Sequence, residues 1–392
     1  MKGKVLSILT IIGIILLLGL SNNWGQEDKF KIMENANAIE SHQELKMEKI
    51  SGYDIIGSFG NEDFVVKQKS FSNNEGPIKE ILIRDVKNND KQSIDLSNLN
   101  IRARSIWNVQ ESNGYLYFTA RKNNKAKEDV AYEINIDSKE IKDISNYIKE
   151  NESIYHSDNQ KSLILANKNE GRIKNLSKDL KEIQNFQLPV KKGENDIYYD
   201  NNIVSIKKED AKITKVYFIR EKMKKDGYMG LDEILSKEAY VYDAALGAEK
   251  ILPFKETILN MNERNGNIFI EEKRGDNVYL TQKDENGKTL NEEFLYNRKK
   301  GYLRKKVEIS PNGEYGVMHF IRTFDKNNKS IEELYLIDMK NHKKFKFMAF
   351  EEGEGTFHNI IWSKNGKNLG VNLLNNIAQE LEYCIIKIED II

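Results

Sequence analysis

A turn signal returns seven times along this chain at intervals of roughly 50 residues, a period that belongs to repeat architectures and leaves few folds open. Asn-Gly, whose two residues tolerate the positive φ of a tight hairpin, stands at 113–114, 265–266, 312–313 and 365–366. Looser turn pairs, Gly60-Asn61, Asp158-Asn159 and Asp210-Ala211, fill the gaps. Alternating runs such as Tyr115-Leu116-Tyr117-Phe118 and Asn267-Ile268-Phe269-Ile270 flank the turns, and a period of two marks half-buried strands. The sixth unit shows strands at 305–310, 315–324, 331–339 and 344–350. Antiparallel units of this kind, repeated around an axis, make a β-propeller, so the expected fold is all-β with about seven four-stranded blades.

The ends of the array fit together. The last unit has strands at 359–363, 368–374 and 380–389 and stops one short, whereas 44–51, with Leu45, Met47 and Ile50 alternating, precedes the first inner strand at 53–58. The N-terminal strand is expected to complete the last blade and remove a sheet edge that would template aggregation.

Residues 43–392 then form one large domain, which the chain's 392 residues permit. Its 61 basic residues balance 61 acidic ones and are interspersed with them, which argues against a nucleic-acid partner. Cys384 is the single cysteine, so no intramolecular disulfide can form, and in the apolar run 383–388 it reads as a small buried hydrophobe. Such cysteine poverty suits an oxidising compartment.

Residues 1–21 carry an address. Lys2 and Lys4 precede an apolar run at 5–20, the layout of a secretory signal, with Gly19 and Ser21 as small residues for cleavage. The run is also close to the length that spans a bilayer, so cleaved signal and membrane anchor both stand. Leu17 to Leu20 resembles the apolar half of a lipobox, but Ser21 occupies the place of the acceptor cysteine, which argues against lipid attachment. Residues 22–42 read as a linker, and Trp24 would suit a membrane interface.

Two turns carry a family resemblance. Ile309-Ser310-Pro311-Asn312-Gly313-Glu314-Tyr315 and Trp362-Ser363-Lys364-Asn365-Gly366-Lys367 resemble the TolB-like, WD-like β-propeller repeat, where a strand ends in Ser-Pro-Asp-Gly-Lys. Asn312 and Asn365 replace the family's Asp, and Lys364 replaces its Pro. The resemblance implies the fold and leaves the activity open, because propellers host many functions.

The search for chemistry returns no motif. His42, His156, His319, His342 and His358 lack zinc-site spacing, and Asp284-Glu285-Asn286-Gly287 reads as a hairpin turn rather than a calcium loop. No nucleophile elbow, phosphate loop or dinucleotide fingerprint is present, and no cofactor is expected. Trp107 and Trp362 fall on inner strands, where core packing is expected.

Loop length is the remaining functional signal, since binding residues concentrate on long loops held by a rigid scaffold. The connections between second and third strands are long at 70–77, 122–128, 221–237 and 325–330. The longest holds Tyr228, Met229, Leu231 and Ile234, with a short helix expected over 231–237. The leading reading is an extracytoplasmic, non-enzymatic binding or scaffold protein that contacts an envelope or extracellular protein, peptide or glycan through this face. A hydrolase or lyase at the channel mouth would use residues such as Arg104 and Arg304. A sensory or accessory subunit would act on a membrane partner through an uncleaved N-terminal segment.

Overall fold

The computed structural model describes residues 31–34 and 50–392, except 69–76, 88–90, 123–128, 149–151, 156–161, 168–170, 226–231, 299–301, 325–328, 351–353, 376–379 and positions 113, 178, 190, 192, 194, 195 and 255. The described strands form seven separate sheets, six of four strands and one of five. Each of the first six takes its four antiparallel strands in chain order, so every blade is a meander. The seventh is built from Gly355–Trp362, Asn368–Asn375 and Glu380–Lys387, and Ile50–Ser51 adds the fourth strand by pairing Ile50 with Tyr383 and Ser51 with Glu382. This is a seven-bladed β-propeller closed by an N-terminal strand, as the repeat and its uneven ends imply. Residues 44–49 of the expected closing strand lie outside the described residues. Upstream, Lys31–Glu34 runs parallel to the outer strand of blade six and supplies its fifth strand.

The first strand of each blade is the innermost, because neighbouring first strands lie against one another, as Tyr53–Phe59 does against Ile101–Ser112. A Cβ added at Gly57 would come within 3.0 Å of Val109, so the inner strands of blades one and two approach closely only through glycine. Both faces of a blade are covered by its neighbours, which is why second strands such as Tyr217-Phe218-Ile219 are apolar on consecutive residues.

Each of the seven junctions holds an apolar cluster. Between blades six and seven Val317, Leu334 and Leu336 meet Phe357, Leu369 and Val371, and each such side chain contributes roughly 1.5–3 kcal/mol by leaving water. Trp362 belongs to this cluster and donates its indole N–H to Glu308 O at 3.1 Å, so it is core. The closing junction has the fewest buried apolar residues among those described, Ile55, Phe64, Val66, Leu82 and Tyr383. Polar bolts supplement it. Asn372 donates to Ile55 O at 2.7 Å and accepts from Ile55 N at 2.8 Å, and Arg84 donates to the Tyr383 hydroxyl at 3.2 Å.

The bulges of the inner strands explain such bolts. Pairing slips between Ile55 and Gly57, between Arg304 and Val307, and between Phe357 and Asn359, and a bulge leaves backbone groups without a ladder partner. The preceding blade supplies the acceptor in each case: Asn372 for Ile55 N, Glu271 for Val307 N at 2.9 Å, and Glu332 for Phe357 N at 2.9 Å. Glu332 also accepts from the Thr356 hydroxyl at 2.8 Å and lies 2.9 Å from His319 Nε2. Burial pushes its carboxyl up, but these partners together hold it below the usual carboxylate range.

Candidate functional site: the projecting sheet of blade four

Blade four departs from the repeat. Its inner and second strands, Ile197–Glu209 and Lys212–Lys224, have 13 residues each, and its third, Glu233–Asp243, has 11. The outer strand, Ala248–Ile251, pairs only with Tyr240–Asp243. The upper part is therefore a three-stranded sheet with no fourth strand among the described residues. The second strand shows why it projects: Val216 to Ile219 are buried between blades three and five, and from Glu221 onward the residues become polar and partly exposed. Residues 221–224 have left the packed layer but keep their ladder partners, from Asp200↔Glu221 to Ile197↔Lys224.

This corrects the sequence reading of 221–237. No helix forms over its described part, since Glu233 to Lys237 belong to the third strand and pair with Lys224 to Glu221. The expected insertion is mostly strand extension, and the connection proper is only 225–232. Tyr228, Met229 and Leu231 lie outside the described residues. Ile234 lies on the third strand and is 46 % exposed, with Leu235 beside it at 41 %.

Directly opposed residues of antiparallel strands share a face. Tyr198, Met223 and Ile234 therefore form one apolar row across the three strands. The next row is Asp200, Glu221 and Lys237, with Lys237 Nζ 2.5 Å from Glu221. Period two places both rows on the side of Tyr217 and Ile219, which pack against blade five. Lys237 also donates to Leu259 O, on the inner strand of blade five, at 3.5 Å. The Tyr198 hydroxyl donates to Asp232, and this bond, some burial and the charges of Asp232, Asp200 and Glu221 push its pKa up to about 12.

The opposite side carries Tyr199, Lys222 and Ser236, with Lys191 Nζ 4.9 Å from the Tyr199 ring centroid. Below it Arg220, buried and stacked on Tyr240 at 4.5 Å, anchors the projection. Its guanidinium donates to both oxygens of Glu249 at 2.9 and 2.8 Å, to Asn201 at 3.0 Å and to Pro189 O at 2.6 Å. One side chain thereby ties three strands of blade four to the chain leaving blade three. Burial opposes the charge, but Glu249 more than offsets it and raises the guanidinium's pKa.

Arg104 and Arg304 stand elsewhere, on the inner strands Ile101–Ser112 of blade two and Tyr302–Ile309 of blade six. Ile234 lies on a different blade from either strand. Trp107, on the same inner strand as Arg104, is half-buried, with the Arg121 guanidinium 5.7 Å from its ring. The other long connections, at 70–77, 122–128 and 325–330, fall largely outside the described residues. Among the described residues no group of three or more His, Cys, Asp or Glu is arranged to hold a metal. Asp284 to Gly287 is a hairpin turn in which the Asp284 carboxylate accepts from Asn286 N and Lys288 N.

Hairpin turns of neighbouring blades touch. Asn365 N donates to Asn61 O at 3.0 Å, Asn265 to Asn312 O at 3.4 Å, and Gly366 abuts Asn312. Lys364, in the turn of blade seven, reaches past blade one to Glu111 of blade two.

The sequence reading missed Tyr198, Met223 and Leu235. For Met223 a period-two signal runs through Ile213, Tyr217, Ile219 and Met223, interrupted by Lys215 and Glu221 on the same side.

No protein-family model matches the chain, and no curated protein matches it. Its structure is similar to an oligogalacturonate lyase in complex with manganese, at 8 % identity and TM-score 0.46 over 86 % of this chain and 85 % of that one. The Vibrio parahaemolyticus oligogalacturonate lyase is similar at 10 % identity and TM-score 0.46, over 86 % of each chain. A prolyl endopeptidase is similar at 10 % identity and TM-score 0.45, over 84 % of this chain and 55 % of that one. The fold assignment rests on the sheet order itself.

Proposed function

We propose that this chain is an exported, non-enzymatic β-propeller that binds an envelope or extracellular partner, a protein or peptide before a glycan, through the projecting sheet of blade four. The single observation that carries the reading is that sheet: strands continued beyond the packed layer, with Ile234 and Leu235 exposed at its top. Continuing three strands into solvent orders backbone without burying it between blades, a cost the fold does not require. A rigid platform for a partner is the function that accounts for it.

Export is supported by Lys2, Lys4 and the apolar run at 5–20. A reporter fused after Lys49 is expected to be active outside the cytoplasm, and activity only inside it would remove this part of the reading. The TolB-like repeat is supported by the turn Ser310 to Tyr315, where the Ser310 hydroxyl lies 2.6 Å from Asn312 Oδ1 and accepts from Tyr315 N at 3.0 Å. Asn312 thus serves where the family has Asp.

Position-specific photo-cross-linking in intact cells tests the binding face. A photoreactive side chain at Ile234 is expected to give a discrete adduct, and the same group at Leu246, which is 78 % exposed in the turn at the opposite end of the third strand, is expected to give none. Equal adducts at both positions, or an adduct at Leu246 alone, would refute this face as the binding surface.

A further inference from the structure

The projecting sheet ends in an open edge. The last hydrogen bond on the outer side of the third strand runs from Leu252 N to Ala239 O at 2.9 Å, and above it no described strand pairs with residues 233–238. Folded proteins usually cover or shorten such an edge, because its unpaired N–H and C=O groups accept another strand. Here it is left in solvent next to two exposed apolar side chains, Ile234 and Leu235. Only an extended backbone complements a row of strand amides and carbonyls, so the edge itself specifies the conformation of its occupant.

The side chains specify its chemistry. Glu233 and Glu238 are exposed on the edge, opposite Lys224 and Arg220, and a bulge between Ile234 and Ser236 brings both to the side facing blade three. Arg220 is already saturated by Glu249, Asn201 and Pro189 O, and Lys224 stands on the second strand, one strand inward from the edge. A strand added outside Glu233 and Glu238 would therefore meet carboxylates on that side. On the side facing blade five it would lie beside Ile234 and lengthen the apolar row Tyr198–Met223–Ile234 by one residue.

We propose that residues 233–238 accept an extended segment of a partner protein as a fourth strand of the projecting sheet, with alternating basic and apolar residues, the basic ones facing Glu233 and Glu238 and the apolar ones facing Ile234. The inference rests on the binding face proposed above and assigns its mode and ligand class. Backbone pairing supplies affinity, and the alternation supplies selectivity, since a slip of one residue would set lysines against Ile234.

Fluorescence anisotropy of a labelled Lys-Val-Lys-Val-Lys-Val-Lys peptide with the full-length protein tests this. In an extended peptide the lysine amides point to one edge and the valine amides to the other. Saturable binding is expected, N-methylation of one set should weaken it at least tenfold, and N-methylation of the other should change it by less than twofold. Because this comparison leaves the protein untouched, it does not depend on the folding of a variant. Glu233→Lys combined with Glu238→Lys, and separately Ile234→Asp, should each weaken binding at least tenfold, while Leu246→Asp leaves it unchanged. Equal behaviour of the two N-methylated peptides, or no binding of the parent peptide, would overturn strand addition. A cross-link at Ile234 obtained alongside that negative result would leave the binding face standing and remove only its mode, so the two readings fail separately.

Discussion

At the scale of single residues, polar side chains that satisfy irregular backbone supplement the apolar junctions of the ring. Asn372 is the clearest case, since it satisfies both backbone groups of Ile55 in the junction with the fewest buried apolar residues among those described. Asn372→Ala should cost about 2–4 kcal/mol, because it strands a buried donor and a buried acceptor. Asn359→Ala, at the exposed residue paired with Asn372, should cost less than about 0.5 kcal/mol. Urea denaturation of both variants checks the difference. Lys344 makes a pH-dependent prediction. Burial between blades five and six lowers its pKa to about 8, although nearby Glu293 opposes the shift. The folded pKa lies below that of the unfolded chain, so between pH 8 and about 10.4 the unfolded state binds more protons and stability rises with pH. The penalty of the buried charge is therefore fully present below pH 8. Lys208, also lowered by burial to about 8, acts in the same direction, so the readout is the difference between wild type and Lys344→Met. That variant should show a flatter rise in stability from pH 8 to 9.5.

At the scale of elements, the turns between inner and second strands were legible because their chemistry is local. Positive φ at Gly60, Gly114, Asp210, Ala211, Asn265, Gly266, Gly313 and Gly366 matches the turn signals read from the sequence, and only the turn at 158–159 lies outside the described residues. Packing adds a second constraint at Gly366, where a Cβ would come within 2.9 Å of Asn312, whereas at Gly114 it would meet nothing within 4 Å. Gly366→Ala should therefore lower stability by about 1 kcal/mol more than Gly114→Ala, which carries only the conformational strain. A thermal melt of the two variants checks this. Of the turns between third and fourth strands the sequence reading took up Asp284 to Gly287 alone, although they share a signature: Asp85, Asn135, Asp243, Asp284 and Asp338 each stand at or just after the end of a third strand and accept amide hydrogens from the turn that follows. The helix expected at 231–237 failed for a physical reason. Leu231, Ile234 and Leu235 have helical spacing, but the lengthened second strand offers a ladder of partners, and tertiary pairing overrides a local pattern.

At the scale of the whole molecule, the uneven ends of the repeat gave the closure and its direction, while blade four's projection could not be read, because strand length beyond the packed layer has no local code. Deleting residues 43–51 should expose the edge of Glu380–Lys387, lower the melting temperature and cause aggregation, and an unchanged melting temperature with a monomeric protein would refute closure by this segment. A projecting sheet that serves binding and not folding can be removed without unfolding the ring. Replacing residues 222–236 by Asn-Gly retains the Glu221–Lys237 pair and removes the projection. The decisive measurement compares this trimmed protein with wild type for melting temperature and for capture of the partner that cross-links to Ile234. A melting temperature within about 3 °C of wild type, as for a change of less than about 1 kcal/mol, is expected together with loss of capture. Capture at undiminished strength, or a collapse of the melting temperature, would contradict this expectation.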